Sequence, residues 1–247
     1  MNNYVTACDD FGLYTYLNTR MDLPSNSETV LHFFEAIQKS YPSLSDFDRR
    51  DGEFLLEEER EQGSYRLVGM DNRRIWSGYM NPPVLEDADE QHERILELAP
   101  YHLDLSPLNC DAVDVMFAFD FVYSGNHDEV VAEALAKDSP FETFLTMPGT
   151  KMLNFEPSIM IALDEACRLQ CRLNIETRTT AFQVQSGNYA ETPITVYFTV
   201  RQFWNKQPFK TFVESYQNQR RIAQELVDTY ILPQVVKPLG ETIATKE

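Results

Sequence analysis

The chain has 247 residues, of which 43% are hydrophobic and 12% aromatic, a composition typical of a folded globular protein and not of a disordered one. No apolar run approaches the ~20 residues that span a bilayer, and residues 1–10 lack a basic start and an apolar core, so we expect a soluble cytoplasmic protein without a signal peptide. The formal net charge of −18 disfavours binding to nucleic acids and to anionic membranes.

The first half of the chain predicts a strand, a helix and three short strands, followed by a second helix. Residues 12–20 alternate between apolar and polar side chains, as a half-buried strand does. Ser25 and Glu28 have the spacing of a capping box at the start of the first helix. The apolar face of that helix consists of Val30, Phe33, Phe34, Ile37 and Tyr41. The three strands are predicted at residues 53–60, 64–70 and 73–79, and the second helix at residues 85–98.

The second half of the chain predicts the same order of elements. Residues 111–123 form the clearest strand, since Val113, Phe117 and Phe121 point to one face and Asp114 and Asp120 to the other. The elements that follow are a helix at 127–137, strands at 153–163, 168–178 and 194–204, and a long helix from 209 to about 230.

The two halves together predict an α+β fold in which a βαβββα unit occurs twice, with antiparallel meander sheets backed by helices. Residues 1–107 form the first half and residues 108–247 the second, and we expect them to pack as one compact unit. Residues 25–36 align without gaps with residues 125–136, and Trp76 and Trp204 each lie in the last strand before a closing helix. The alternative explanation is convergent patterning of strand and helix in the two halves.

Gly125-Asn126-His127-Asp128, at the end of the clearest strand, resembles the metal-binding corner of a metallophosphoesterase. The other motifs of that family are missing, because Gly-Asp occurs nowhere in the chain. Asn126 is a preferred residue at the position before a helix, and the acid that follows suits the first helical turn. The sequence therefore predicts a helix start here, and we expect no metal and no cofactor.

No catalytic motif is present elsewhere in the chain. The four cysteines are not spaced as a zinc site and are expected to be free thiols. An enzyme remains the alternative interpretation, most plausibly a hydrolase whose active site is assembled from separate strands. Its acid and base would come from Asp114, Asp120, His102 and His127, and at least two of these would have to line one deep pocket.

A positively charged and aromatic surface is the strongest candidate for binding. Arg172 is predicted on the exposed face of a second-half strand, and Arg201 on a neighbouring strand. Arginine together with aromatic side chains favours anionic or planar ligands and protein contacts. The predicted binding residues are Trp76, Tyr79, Arg172, Arg201 and Trp204.

The charge is unevenly distributed, with −15 in residues 1–124 and −3 in residues 125–247. An acidic first half would attract a basic partner. We therefore predict a binding or interaction protein without an evident catalytic site, which holds a small anionic or planar ligand between its halves or a basic protein. The sequence leaves the oligomeric state open.

Overall fold

The computed structural model describes residues 4–50, 52–60, 63–204 and 210–246. The strands of the first half are β1 (Asp10–Thr19), β2 (Asp46–Arg50), β3 (Glu53–Glu57), β4 (Tyr65–Met70) and β5 (Arg74–Met80). Its helices are α1 (Ser27–Ser40) and α2 (Leu85–His102). The second half contributes strands β6 (Cys110–Tyr123), β7 (Ser158–Ala162), β8 (Leu169–Glu176) and β9 (Thr192–Phe203). Its helices are α3 (His127–Leu135), α4 (Glu142–Leu145), α5 (Ala181–Ser186), α6 (Phe212–Leu226), a π-helical segment (Val227–Val236) and α7 (Lys237–Ala244).

Within these ranges, nine strands form one antiparallel sheet in the order β2-β3-β4-β5-β1-β6-β9-β8-β7. The first strands of the two halves, β1 and β6, are neighbours near the centre, and Leu13 lies opposite Phe117 in their register. The remaining strands of each half extend outward from this pair. The protein is therefore α+β with a single continuous sheet, and the point where the halves meet lies within the sheet.

The two faces of the sheet differ in what covers them. Along β1, Phe11, Leu13 and Leu17 are buried, and Tyr14 and Tyr16 on the opposite face are only partly buried. Helix α2 packs on β1 and β5, and α6 packs on β6 and β9, over the face that contains Leu13. Alternation of the side chains thus gives one helix-covered face with the core and one face that we call the open face.

Buried polar side chains attach α2 to the sheet beneath it. Gln91 Nε2 donates to Ser77 Oγ at 2.8 Å and to the Gly78 carbonyl at 3.0 Å. The ring of His92 contacts Ser77 Oγ at 2.9 Å and the Leu13 carbonyl at 3.1 Å. Hydrogen-bonded polar groups in a core fix the position of one element on another more specifically than apolar contacts do.

Several element predictions need correction. β2 was not predicted, so the first half has four strands after α1 where three were expected, and the predicted strand at 53–60 ends at Glu57. The helix-capping residue of α1 is Asn26, not Ser25, because Asn26 Oδ1 accepts from the backbone N–H of Thr29 at 2.8 Å. In the second half, α5 separates β8 from β9.

The C-terminal helix is also longer than predicted. Its predicted start at residue 209 lies outside the described residues, and it does not end near Tyr230. The chain continues through a π-helical segment that contains Pro233 and then into α7. A π-helical turn accommodates the missing N–H and the ring of a proline that would interrupt a regular α-helix. None of the helices in the described ranges is both long and apolar enough to cross a membrane.

Candidate ligand-binding site on the open sheet face

The open face contains a pocket with a cavity volume of about 320 Å³, located where strands of the two halves meet. β1 and β5 of the first half and β6 to β9 of the second half contribute to it. Its lining includes Tyr16, Arg74, Asp114, Met116, Arg172 and Arg201.

Cross-strand register explains why these side chains converge. Tyr16 lies opposite Asp114 in the β1–β6 pair, and Asp114 lies opposite Arg201 in the β6–β9 pair. In the next row on the same face, two residues further along β6, Met116 lies opposite Thr199 of β9. Thr199 in turn lies opposite Arg172 of β8. Directly opposed residues share one face of a sheet, so two adjacent rows of side chains form the pocket.

Asp114 is held in a charged hydrogen-bond network. Arg201 binds it in a bidentate manner, with Nε–Oδ1 and Nη2–Oδ2 distances of 2.7 and 2.6 Å, and Asn18 Nδ2 donates to Oδ2 at 3.1 Å. The hydrogen bond to Asp114 raises the pKa of Arg201 above its ordinary value. The carboxylate side chain is 5% exposed and the arginine side chain 43% exposed. Both oxygens of Asp114 are engaged, which leaves this carboxylate poorly suited to act as a general base.

Arg172 differs from the other two arginines of the pocket. Arg201 is paired with Asp114, and Arg74 Nη2 lies 2.7 Å from Asp71 Oδ2. Arg172 is exposed, and among the described residues its side chain forms hydrogen bonds with neutral groups only, Ser158 Oγ at 3.3 Å and Asn174 Oδ1 at 3.2 Å. Within the described part of the chain, no carboxylate lies at ion-pair distance from it. Three arginines and one aspartate among the lining residues make the pocket locally positive in a strongly acidic protein.

Aromatic rings lie flat on the open face beside the pocket. A Cβ atom at Gly69 would lie 2.2 Å from the Trp76 ring, and one at Gly78 would lie 2.5 Å from the Tyr14 ring. The absence of a side chain at each glycine therefore allows the neighbouring ring to rest on the backbone. Tyr14 and Tyr16 stack with their ring centroids 6.4 Å apart. Burial raises the pKa of Tyr16 to about 12, so its hydroxyl keeps its proton at neutral pH.

We expect Gly69→Ala to displace the Trp76 ring, because the added methyl group and the ring cannot occupy the same space. The free energy of unfolding should fall by about 1–3 kcal/mol, as for other overpacking substitutions. Tryptophan fluorescence of Gly69→Ala should show Trp76 in a more polar environment than in the wild-type protein. The spectrum of Trp76→Phe gives the contribution of Trp204, which is subtracted. An unchanged Trp76 spectrum would contradict the close contact with Gly69.

The predicted binding residues divide between the two faces. Trp76, Arg172 and Arg201 lie on the open face, and both arginines line the pocket. Tyr79 is 5% exposed, on the helix-covered face of β5, and Trp204 is 5% exposed against Phe212 of α6, with ring centroids 4.7 Å apart. Trp76 and Trp204 have similar positions along the chain, at the last strand before a closing helix, but their side chains lie on opposite faces of the sheet. Tyr79 and Trp204 are core residues and are not part of the pocket.

The Gly-Asn-His-Asp segment forms a helix start, as the sequence predicts. Asn126 Oδ1 accepts from the backbone N–H of Glu129 at 3.4 Å. His127 and Asp128 are buried, and Asp128 Oδ1 accepts from the backbone N–H of Phe155 and from the Thr177 hydroxyl, each at 2.8 Å. These contacts attach the start of α3 to the segment before β7, which contains Phe155, and to the segment after β8, which contains Thr177. Across the described residues, no three His, Cys, Asp or Glu side chains converge as metal ligands.

The residues considered for acid–base catalysis do not converge in the open-face pocket. Asp114 lines the open-face pocket, and Asp120 lies further along β6, where it accepts a hydrogen bond from the Thr195 hydroxyl. His127 is buried as the first residue of α3, and His102 contacts the Phe33 ring on the helix side. Cys8, Cys110, Cys167 and Cys171 form no disulfide.

Sequence reasoning missed the first-half side of the pocket. Arg74, Asn18 and Tyr16 were not among the predicted residues, although the alternation of residues 12–20 places Tyr16 and Asn18 on one face. The missing information was the pairing of β1 with β6, which determines that this face adjoins Asp114 and Arg201.

The chain matches no protein-family model and no curated protein.

Proposed function

We propose that the protein binds a small anionic ligand with an apolar or planar part in the open-face pocket, and that it has no catalytic role of its own. The observation that carries this proposal is Arg172, an exposed guanidinium without a carboxylate partner among the described residues, beside two more arginines. Guanidinium groups bind carboxylates and phosphates through paired, charge-assisted hydrogen bonds. An anion is the partner that this side chain lacks.

The other walls of the pocket suit the remainder of such a ligand. Met116 and Met160 offer polarizable, adaptable apolar surface, and Tyr16 offers a ring and a protonated hydroxyl. A cavity of about 320 Å³ is at the lower end of the range of small-molecule sites, so the ligand is expected to be metabolite-sized.

A basic protein partner is less well supported than a small ligand. The acidic first half was the feature that favoured it, but part of that acidity is paired within the chain, because Glu57 pairs with Arg60, and Glu58 pairs with Arg66 at 3.2 Å. These ion pairs reduce the charge available to attract another protein. We therefore propose the open-face pocket as the principal binding site.

We also propose that the two halves, residues 1–107 and 108–247, arose by duplication and pack as one unit in the cytoplasm. The position of β1 beside β6 supports this, because each is the first strand of its half and the later strands extend outward from the pair. The matching caps at Asn26 and Asn126, 100 residues apart, provide further support. A binding site at the junction of duplicated units would combine side chains from both.

Binding of naphthalene-2-carboxylate, compared with the neutral naphthalene-2-carboxamide, tests the proposed function by isothermal titration calorimetry. We expect the carboxylate to bind the wild-type protein more tightly than the carboxamide. Arg172→Glu should weaken carboxylate binding by about 10–100-fold, since it removes a charge-assisted hydrogen bond and adds repulsion. Binding of the carboxamide should change little.

Arg94→Glu is the matched control, because it makes the same charge change on α2, away from the open face. It should leave carboxylate binding unchanged. Equal affinity for the two probes, or equal weakening by Arg172→Glu and Arg94→Glu, would overturn the proposal. Native mass spectrometry of the purified protein provides an independent test, because a mass excess that disappears on denaturation identifies a retained ligand.

A further inference from the structure

The edge strand β7 is unusually apolar and exposed for an acidic protein. It ends the sheet next to β8, and all five of its residues, Ser158–Ala162, are exposed. Ile159, Met160 and Ile161 are 55%, 68% and 54% exposed, so both faces of the strand present apolar side chains. Proteins ordinarily protect such edges with charges, prolines or a covering element, because an unpaired edge strand is a template for another strand.

The opposite edge of the sheet shows that protection. β2 has the sequence Asp-Phe-Asp-Arg-Arg, in which four of five residues are charged. β7 has the sequence Ser-Ile-Met-Ile-Ala and contains no charge. In a chain with net charge −18, a neutral edge is where two copies can approach with little electrostatic repulsion.

The order of residues in β7 is symmetric about Met160. An isoleucine lies on each side of Met160, and a small residue, Ser158 or Ala162, lies beyond each isoleucine. If two β7 strands pair antiparallel about Met160, Ile159 of one copy lies opposite Ile161 of the other, and Ser158 lies opposite Ala162. A two-fold axis requires this kind of self-complementary pattern, because every contact between a residue of one copy and a residue of the other occurs a second time with the copies exchanged.

The backbone hydrogen-bonding pattern of β7 also supports a pairing centred on Met160. The backbone N–H of Leu163 donates to the Leu169 carbonyl at 2.7 Å, and the Pro157 carbonyl accepts from Ile175 N–H at 3.2 Å. Residues of an antiparallel strand alternate in the neighbour to which they bond, so odd-numbered residues bond to β8. The backbone groups of Met160 consequently point away from β8, where a second Met160 can exchange both N–H···O=C bonds with it.

We propose that the protein forms a two-fold homodimer in which β7 pairs antiparallel with β7 of a second copy, centred on Met160. The two nine-stranded sheets, as described, then join into one continuous sheet. The axis is perpendicular to the sheet, so both open faces lie on the same side. Because Met160 also lines the open-face pocket, the pockets of the two copies approach each other across the axis.

Met160→Pro tests the backbone pairing. Proline removes the N–H that points away from β8 and leaves the β7–β8 bonds of the odd-numbered residues intact. We expect wild-type protein and the control Met160→Leu to sediment as dimers in analytical ultracentrifugation, over a concentration series up to about 100 μM that covers the weak association of a small interface. Met160→Pro should sediment as a monomer with unchanged circular dichroism.

A pair of double variants tests the register without relying on proline. In the proposed pairing, Ile159→Lys/Ile161→Glu places a lysine opposite a glutamate at both cross-strand positions, so this variant should still form dimers. Ile159→Lys/Ile161→Lys places two lysines opposite each other and should be monomeric. Both variants change exposed residues of β7, so we expect both to fold.

Three results would overturn the proposal. One is a wild-type protein that remains monomeric throughout the concentration series. The second is a dimer that Met160→Pro, folded by circular dichroism, does not dissociate. The third is an equal effect of the two double variants, which would exclude a register centred on Met160.

Discussion

Arg201→Ala will lower the free energy of unfolding by about 3 kcal/mol, whereas Asp114→Ala will lower it by only about 1 kcal/mol. The difference comes from the burial of the two partners. Removal of Arg201 leaves the Asp114 carboxylate, 5% exposed, with Asn18 as its one remaining side-chain donor among the described residues. Removal of Asp114 leaves a guanidinium that is 43% exposed and can be hydrated. A buried charge that loses its partner costs more than an exposed one.

Urea denaturation of the two single variants and of the Asp114→Ala/Arg201→Ala double variant measures this asymmetry. We expect the double variant to be more stable than Arg201→Ala alone, because it no longer contains a buried, unpaired carboxylate. Arg74→Ala is the control, since Arg74 lines the same pocket and its partner Asp71 is 19% exposed, more than Asp114. Equal losses of stability in the two single variants would contradict the burial assigned to Asp114.

The same asymmetry separates structural from ligand-binding arginines in the pocket. Arg201 neutralises a buried aspartate, so its charge is already compensated within the fold. Arg172 compensates no acid among the described residues, and we expect its substitution to change ligand affinity much more than stability. A comparison of the two substitutions therefore distinguishes the proposed ligand contact from a general requirement for positive charge.

Local sequence patterns predicted much of the sheet because its strands alternate clearly. Val113, Phe117 and Phe121 were assigned to one face of β6, and all three are buried on the helix-covered face. β2 was missed because four of its five residues are charged, which is a pattern typical of an exposed loop. The π-helical segment was missed because Pro233 normally indicates the end of a helix.

The candidate site was predicted less well, since it depends on contacts between distant parts of the chain. Arg172 and Arg201 could be assigned to exposed strand faces from alternation alone. Tyr79 could not be placed, because alternation identifies two faces of a strand without stating which one the helices cover. Asn18 lies near Asp114 only because β1 pairs with β6, and the sequences of the two strands do not specify that register.

His92 will make the protein less stable as the pH falls below about 6.5. Burial lowers the pKa of His92 to about 3, and the nearby charge of Arg220 acts in the same direction. Between these two pH values the imidazole takes up a proton in the unfolded chain and remains neutral in the folded protein. The unfolded state then binds more protons, so this contribution to stability is complete above pH 6.5 and is lost as the pH falls toward 3.

Urea unfolding of wild-type protein and His92→Gln between pH 4.5 and 7.5 isolates this contribution from that of the carboxylates. Glutamine lacks the titrating ring. Below pH 6.5 the free energy of unfolding of His92→Gln should therefore depend on pH less steeply than that of wild type, by about 1.4 kcal/mol per pH unit. His32→Gln, at an exposed position on α1, controls for the loss of a histidine. Parallel pH profiles for wild type and His92→Gln would mean that His92 is protonated within the folded core. That result would contradict the lowered pKa of His92 that its burial between α2 and the sheet implies.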